Sequence, residues 1–157
     1  MPVEPVVDAK QMDRRRWLSI LAKARAEEVS AAWDALEERP AYSALRAPEL
    51  GLMLVRGRMG GAGDAFNLGE MTLTRAAVRL ESGETGLAYV AGRDRRHAEI
   101  AAAVDAMMQS PSLRGRVEGA IVARLARAQD ERRAAAARKA AATRVDFFTM
   151  VRTRAPA

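Results

Sequence analysis

The chain contains no cysteine. That excludes disulfides, thiolate metal sites, iron–sulfur ligation and a thiol nucleophile from this polypeptide. It has a single histidine, His97, so a histidine-rich metal site is excluded as well. Aromatic residues make up only 4% of the 157 positions, so the core has to be built from Leu, Val, Ile, Met and Ala. Hydrophobic residues reach 49%, but alanine supplies much of that, and alanine removes little area from water per residue. No apolar run approaches the ~20 residues that span a bilayer. The opening "MPVEPVVDAK" lacks a basic region followed by an apolar segment, so no secretory signal is expected and a cytoplasmic location is.

What is abundant is positive charge, and it is regional. The formal net charge is +6. Nine basic residues and three acids lie between Arg114 and Arg144, which accounts for the whole excess. A segment of this kind either meets an acidic partner or stays solvated.

The apolar spacing predicts an α+β domain. Residues 1–12 read as a loose lead-in, 13–110 as the folded core, and 111–157 as a helical arm ending in a docking segment. Asp13 is placed to cap a helix through "RRRWLSILAKA", where Trp17, Leu21 and Ala24 recur at helical spacing. Val29, Trp33 and Leu36 continue as a second helix, or as a bend in the first, with Glu27 and Glu28 in the opening turn and Pro40 beyond the end.

From Ala41 the period changes to two. "YSALRA" and "ELGLMLVRGRM" read as short strands on either side of Pro48. In the second, Leu52, Leu54, Arg56 and Arg58 share one face while Met53, Val55, Gly57 and Met59 share the other. "EMTLTRAAVRL" alternates in the same way, "ESGETG" is a turn and "LAYVAG" is a further strand, which makes an antiparallel sheet of about four strands. Helical spacing returns at Asp94, a natural N-cap, with Ile100, Val104 and Met107 as the buried stripe. "SPS" at 110–112 breaks that helix. The alanine- and arginine-rich stretch that follows favours helix, but its apolar stripe fades after Leu125, so docking must hold the remainder.

The densest glycine cluster is "RMGGAGDAF". A Walker loop would need GK[ST], and a dinucleotide fingerprint would need a following helix; here a strand pattern follows. Two readings stand. One is a strand connection that uses glycine's freedom at positive φ. The other is an anion site in which Arg58, with Arg56 and Arg75 converging on one sheet face, holds a phosphate or carboxylate. His97 also has two readings: a satisfied structural residue on the apolar stripe, or a group that orients or protonates a ligand at a helix start beside Arg93. Arg58, Gly60, Gly61, Arg93 and His97 are therefore the candidate ligand-binding residues, and no catalytic triad spacing or metal-ligand set is present. The basic arm also admits a nucleic-acid-binding module, although no aromatics are interleaved with its charges.

Three stretches in order, "RMGGAGDAFNLGEMTLTRAAVRL", "VAGRDRRHAE" and "RVDFFTMVR", resemble the PhnG family, the G subunit of the bacterial carbon–phosphorus lyase core complex. The opening helix "RRRWLSILAKA" also fits, and the resemblance covers roughly residues 13–108 and 144–152. It implies a subunit that works with H, I and L partners to displace adenine from MgATP with an alkylphosphonate, and alongside a J subunit that later cleaves the carbon–phosphorus bond. It implies an obligate hetero-oligomer that is inactive alone, with no cofactor held by this chain and MgATP as substrate of the assembly. No catalytic residue is carried over. The terminal apolar cluster of Val145, Phe147, Phe148, Met150 and Val151 is then expected to dock on partners.

Overall fold

The computed structural model describes residues 8–144. Helices α1 (Ala9–Lys23) and α2 (Ala26–Asp34) lead into strand β1 (Tyr42–Arg58), a single 3₁₀ turn (Met59–Gly61), β2 (Ala65–Leu80) and β3 (Thr85–Ala91). Helix α3 (Arg95–Gln109) follows, then α4 (Pro111–Val117), one wide π turn (Glu118–Val122) and α5 (Ala123–Ala142). The fold is α+β: an antiparallel sheet in the order β1-β2-β3 with helices packed on one face.

The sheet has three strands rather than about four, because β1 runs unbroken through Pro48. The reason lies in its position. β1 is an edge strand, so the missing proline N–H need not face a neighbour, and the ladder accommodates it with a register shift between Arg46 and Glu49. The start of α1 also differs from expectation. Asp8 is the cap, its carboxylate accepting from the Lys10 N–H, and the helix runs through residues 9–12. Asp13 is instead one turn inside the helix, where it pairs with Arg114 of α4 and Arg16. Other local expectations hold. Glu27 and Glu28 sit in the first turn of α2, and the Asp94 carboxylate accepts from the His97 N–H at 2.8 Å, capping α3.

Helix α3 is the centre of the domain. Every residue from Ile100 to Met108 is buried, so it is covered all round and not along one stripe. The sheet covers one side through Ala76, Val78, Leu80, Ala88 and Val90; Trp17, Leu21, Val29, Val117 and Ile121 cover the rest. Alanines at 98, 101, 102, 103 and 106 let this central helix lie close to the sheet. Gly86 of β3 completes the approach: a Cβ there would fall 2.0 Å from the Ala102 carbonyl oxygen and 2.4 Å from the Ala106 nitrogen. Low aromatic content is thus offset by tight spacing of small side chains.

Residues 111–129 are largely part of this core. Val117, Ile121, Val122 and Leu125 are buried, and the Gln129 amide donates to the Ile20 carbonyl at 2.6 Å. Past Arg132, which pairs with Glu28, α5 leaves the body for its last ten residues, about 15 Å at 1.5 Å per residue.

Candidate functional site

The three strands are unequal, and that inequality makes the molecule's most distinctive surface. β3 pairs with β2 only from Leu73 to Arg79, whereas β1 and β2 stay paired out to Arg58 and Ala65. Residues 52–58 and 65–72 therefore form a two-stranded arm beyond the body, about 24 Å long at 3.4 Å per residue. The ladder sets Leu50 opposite Thr74, Leu52 opposite Thr72 and Leu54 opposite Glu70. Thr74, Ala76, Val78 and Leu80 face the helices, so Leu50, Leu52 and Leu54 extend the helix-covered face to where no helix lies. Leu52 is 66% exposed, Leu54 56% and Leu68 66%. The reverse face carries Met53, Val55 and Met71, with the Phe66 ring 3.6 Å from where a Gly57 Cβ would stand. Isolated exposed leucines need no explanation, but a contiguous cluster on a projecting ribbon is a candidate interaction surface.

The tip of the arm carries three of the predicted site residues. Gly60 (φ 59°) and Gly61 (φ 80°) occupy the left-handed region that side chains rarely adopt, and they reverse the chain. Gly63 closes the turn, its N–H donating to the Met59 carbonyl at 2.9 Å. Arg58 folds back across the loop, its guanidinium donating to the Gly63 carbonyl at 3.1 Å. The glycines are thus used in turning one strand into the next. The expected convergence of Arg56, Arg58 and Arg75 does not form. Arg75 stands opposite Glu49 on the other face of the sheet and bonds its carboxylate at 2.7 Å.

Arg93 and His97 lie elsewhere. They follow the end of β3, where Ala91 pairs with Leu73 at the base of the arm, so most of the arm's length separates them from Arg58. His97 is 4% exposed and its Nε2 lies 2.8 Å from the Leu21 carbonyl, tying α3 to α1. The structure therefore divides the five candidates into a tip group and a core-proximal group. The terminal cluster at Val145, Phe147, Phe148, Met150 and Val151 lies outside the described residues.

One polar centre was not anticipated from sequence. Asp105 on α3 is fully buried and accepts from Arg14 Nε (3.1 Å) and Nη2 (2.7 Å), from Trp17 Nε1 (2.8 Å) and from the Leu87 backbone N–H (2.9 Å). It joins α1, α3 and β3 at one point. Its only sequence signal is an acid inside the apolar run "AAAVDAMM"; Arg14 lies 91 positions away. Beside it opens a cleft of about 530 Å³ lined by Lys10, Arg14, Trp17, Gln109 and Arg114. Two of its three cations are already committed, Arg14 to Asp105 and Arg114 to Asp13, and the Arg114 guanidinium also lies 5.3 Å from the Trp17 ring centre. Among the described residues, no group of three or more His, Asp or Glu side chains could hold a metal, and no helix is long and apolar enough to cross a membrane.

Residues 12–153 match the family model described as phosphonate metabolism protein PhnG. A protein of Rhizobium meliloti (strain 1021), named alpha-D-ribose 1-methylphosphonate 5-triphosphate synthase subunit PhnG, is 48% identical over 148 residues, covering 92% of each chain. The chain is similar, along nearly its whole length, to a synthase subunit, and it belongs to the PhnG family of phosphonate metabolism proteins.

Proposed function

We propose that this chain is a non-catalytic or site-completing subunit of a carbon–phosphorus lyase core complex. It acts with H-, I- and L-type partners in the MgATP-dependent transfer of the ribose triphosphate group to an alkylphosphonate, with release of adenine, and alongside a J-type subunit. The work is done in the cytoplasm, by an obligate hetero-oligomer, and the chain is inactive alone. One observation carries the reading: large aliphatic side chains stand uncovered along a projecting arm, in a chain whose relative is named as a synthase subunit. The apolar tail at Val145, Phe147, Phe148, Met150 and Val151 docks on the same assembly, and Phe147→Ala with Phe148→Ala weakens its recovery. Site completion falls to the arm's tip, where Arg58 beside Gly60 and Gly61 meets a partner's anionic ligand; Arg93 and His97, at the start of α3, form a second point of contact or support.

Reconstitution tests this directly. Adenine release from MgATP in the presence of an alkylphosphonate is measured with all partner subunits, with and without this chain. Loss of turnover on omission, restored by adding the chain back, is the expected result. Full turnover without it, or adenine release by the chain alone, refutes the proposal.

A further inference from the structure

The arm gains little stability from its own two strands. Two strands alone in water are marginal, and this ribbon is open on both faces and on both outer edges. A flat partner surface would cover Leu52 and Leu54 and leave Met53 and Phe66 wet, or the reverse. Something has to close around it.

We propose that the arm, residues 52–72, inserts into a cleft of a different subunit that closes over both of its faces, apolar along the shaft and anionic where Arg56 and Arg58 arrive. This rests on the reading of the chain as a complex subunit. Three observations select that occupant. The first is area. A ribbon about 24 Å long and about 10 Å wide presents roughly 480 Å² on its two faces, and with its edges approaches the ~800 Å² that one side of a standard interface contributes. The second is charge. The face bearing Leu52 and Leu54 ends in the arginine pair Arg56 and Arg58, with Glu70 further down the same face and Asp64 in the tip turn. An anionic end to the cleft complements the two guanidinium groups. The third is shape. The chain's own clefts hold about 250 Å³ between α1 and β3 and about 530 Å³ beside Asp105, the latter rimmed by Lys10, Arg14 and Arg114, which would oppose Arg56 and Arg58. Neither exceeds the ~300–1,000 Å³ of ordinary small-ligand pockets, far too little for a ribbon with side chains on both faces, so a second copy offers no place for the arm.

The experiment uses the full-length tagged chain co-expressed with the partner subunits. Leu52→Glu with Leu54→Glu alters one face and Met53→Glu with Phe66→Glu the other; Met12→Glu, an exposed apolar position on α1, is the control. Each arm variant is expected to recover at least tenfold less partner than the unaltered chain, and the control to match it. Arg56→Glu with Arg58→Glu is expected to lower recovery as well. Since the chain has no cysteine, a single Leu54→Cys gives a second measurement that depends on no disruptive change. Its maleimide labelling, read from the mass of this chain, should slow at least tenfold in the complex relative to the isolated chain. Normal recovery by both arm variants, or unchanged labelling, overturns the inference while leaving subunit membership intact. Recovery of an untagged second copy through the arm overturns the choice of occupant. If the unaltered chain brings down no partner, the functional reading falls first and this inference with it.

Discussion

Replacing Gly86 by alanine adds one methyl group and tests how the core is built. The new Cβ would lie 2.0 Å from the Ala102 carbonyl oxygen, 2.4 Å from the Ala106 nitrogen and 2.9 Å from the Ala106 Cβ. Two of these three are backbone atoms of α3, so no side chain can swing aside. Reaching an ordinary contact near 3.4 Å requires the helix and β3 to separate by more than 1 Å. Gaps of 0.5–1 Å already forfeit about a quarter to a half of the dispersion energy across them, and here they would open along the small-residue layer formed by Ala88, Ala102 and Ala106. Overpacking costs typically ~1–3 kcal/mol and occasionally more, and a rigid backbone obstacle places this site at or above ~3 kcal/mol. For a domain of this size that lowers the thermal midpoint by about 6–12 °C, at about 2–4 °C per kcal/mol. The matched control is Gly69→Ala on the arm, where an added Cβ meets nothing within 4 Å and φ is not in the left-handed region. Circular dichroism melts of the two variants beside the unaltered chain give the answer. If Gly86→Ala melts within about 2 °C of Gly69→Ala, the close approach of α3 to the sheet is wrong.

Other perturbations probe other parts of the molecule. Asp105→Ala leaves the Trp17 indole N–H and the Leu87 N–H without their acceptor and strands Arg14; the expected cost is about 3–5 kcal/mol by denaturant titration, and a loss under 1 kcal/mol would remove Asp105 as the tie between helices and sheet. Acid stability should depend on Asp13 and Glu49. The Asp13 carboxyl is held below its ordinary 3.8 chiefly by the hydrogen bond from Arg114, and Glu49 below 4.5 chiefly by that from Arg46. A depressed folded value means their contribution is complete above the unfolded value and is lost as pH falls through the folded one. Asp13→Asn with Glu49→Gln should therefore flatten the stability curve below about pH 4.5 and leave its slope at pH 7 unchanged; an altered slope near neutrality contradicts the assignment. Gly61→Ala, at φ 80° on the tip, should cost about 1–2 kcal/mol of local backbone strain. It should be read in the assembled complex, where the arm is embedded; unchanged partner affinity would show that the tip turn is not held rigid.

The fold was legible where a signal is local. The Asp94 cap, the acids opening α2 and the alternation from Leu52 to Arg58 all depend on residues within a turn or two of each other, and the chain adopts them as read. Pro48 misled because its cost depends on which strand lies at the edge, and that is decided by pairing and not by the strand's own residues. Asp13 misled because a mid-helix acid looks like a cap until Arg114 arrives from 101 positions away. Asp105 and its ring of donors could not be read for the same reason. The site was less legible than the fold. Glycines, arginines and a histidine suggested one anion-binding group, whereas the lengths of three strands put the tip residues at one end of the arm and His97 near the other. The overhang was hidden because Pro48 split β1 into two short strands and β2 was read from Glu70, five residues after its start; only the pairing shows two long strands beside a short one.

The placement of residue types argues most directly for an assembled role. A chain selected only for its own stability would use leucine inside and alanine outside. Here the central helix buries five alanines, while Leu52, Leu54 and Leu68 stand in water on the arm. Covering those three would contribute roughly 1.5–3 kcal/mol each, about 5–9 kcal/mol together as an upper figure. Association costs an estimated 4–15 kcal/mol, so the leucines could about balance it and leave little surplus. Net affinity must then come from the reverse face, the arginine tip and the apolar tail acting with them. Removing the reverse face or the arginine tip should weaken the complex severely without unfolding the subunit, because neither belongs to the core around α3.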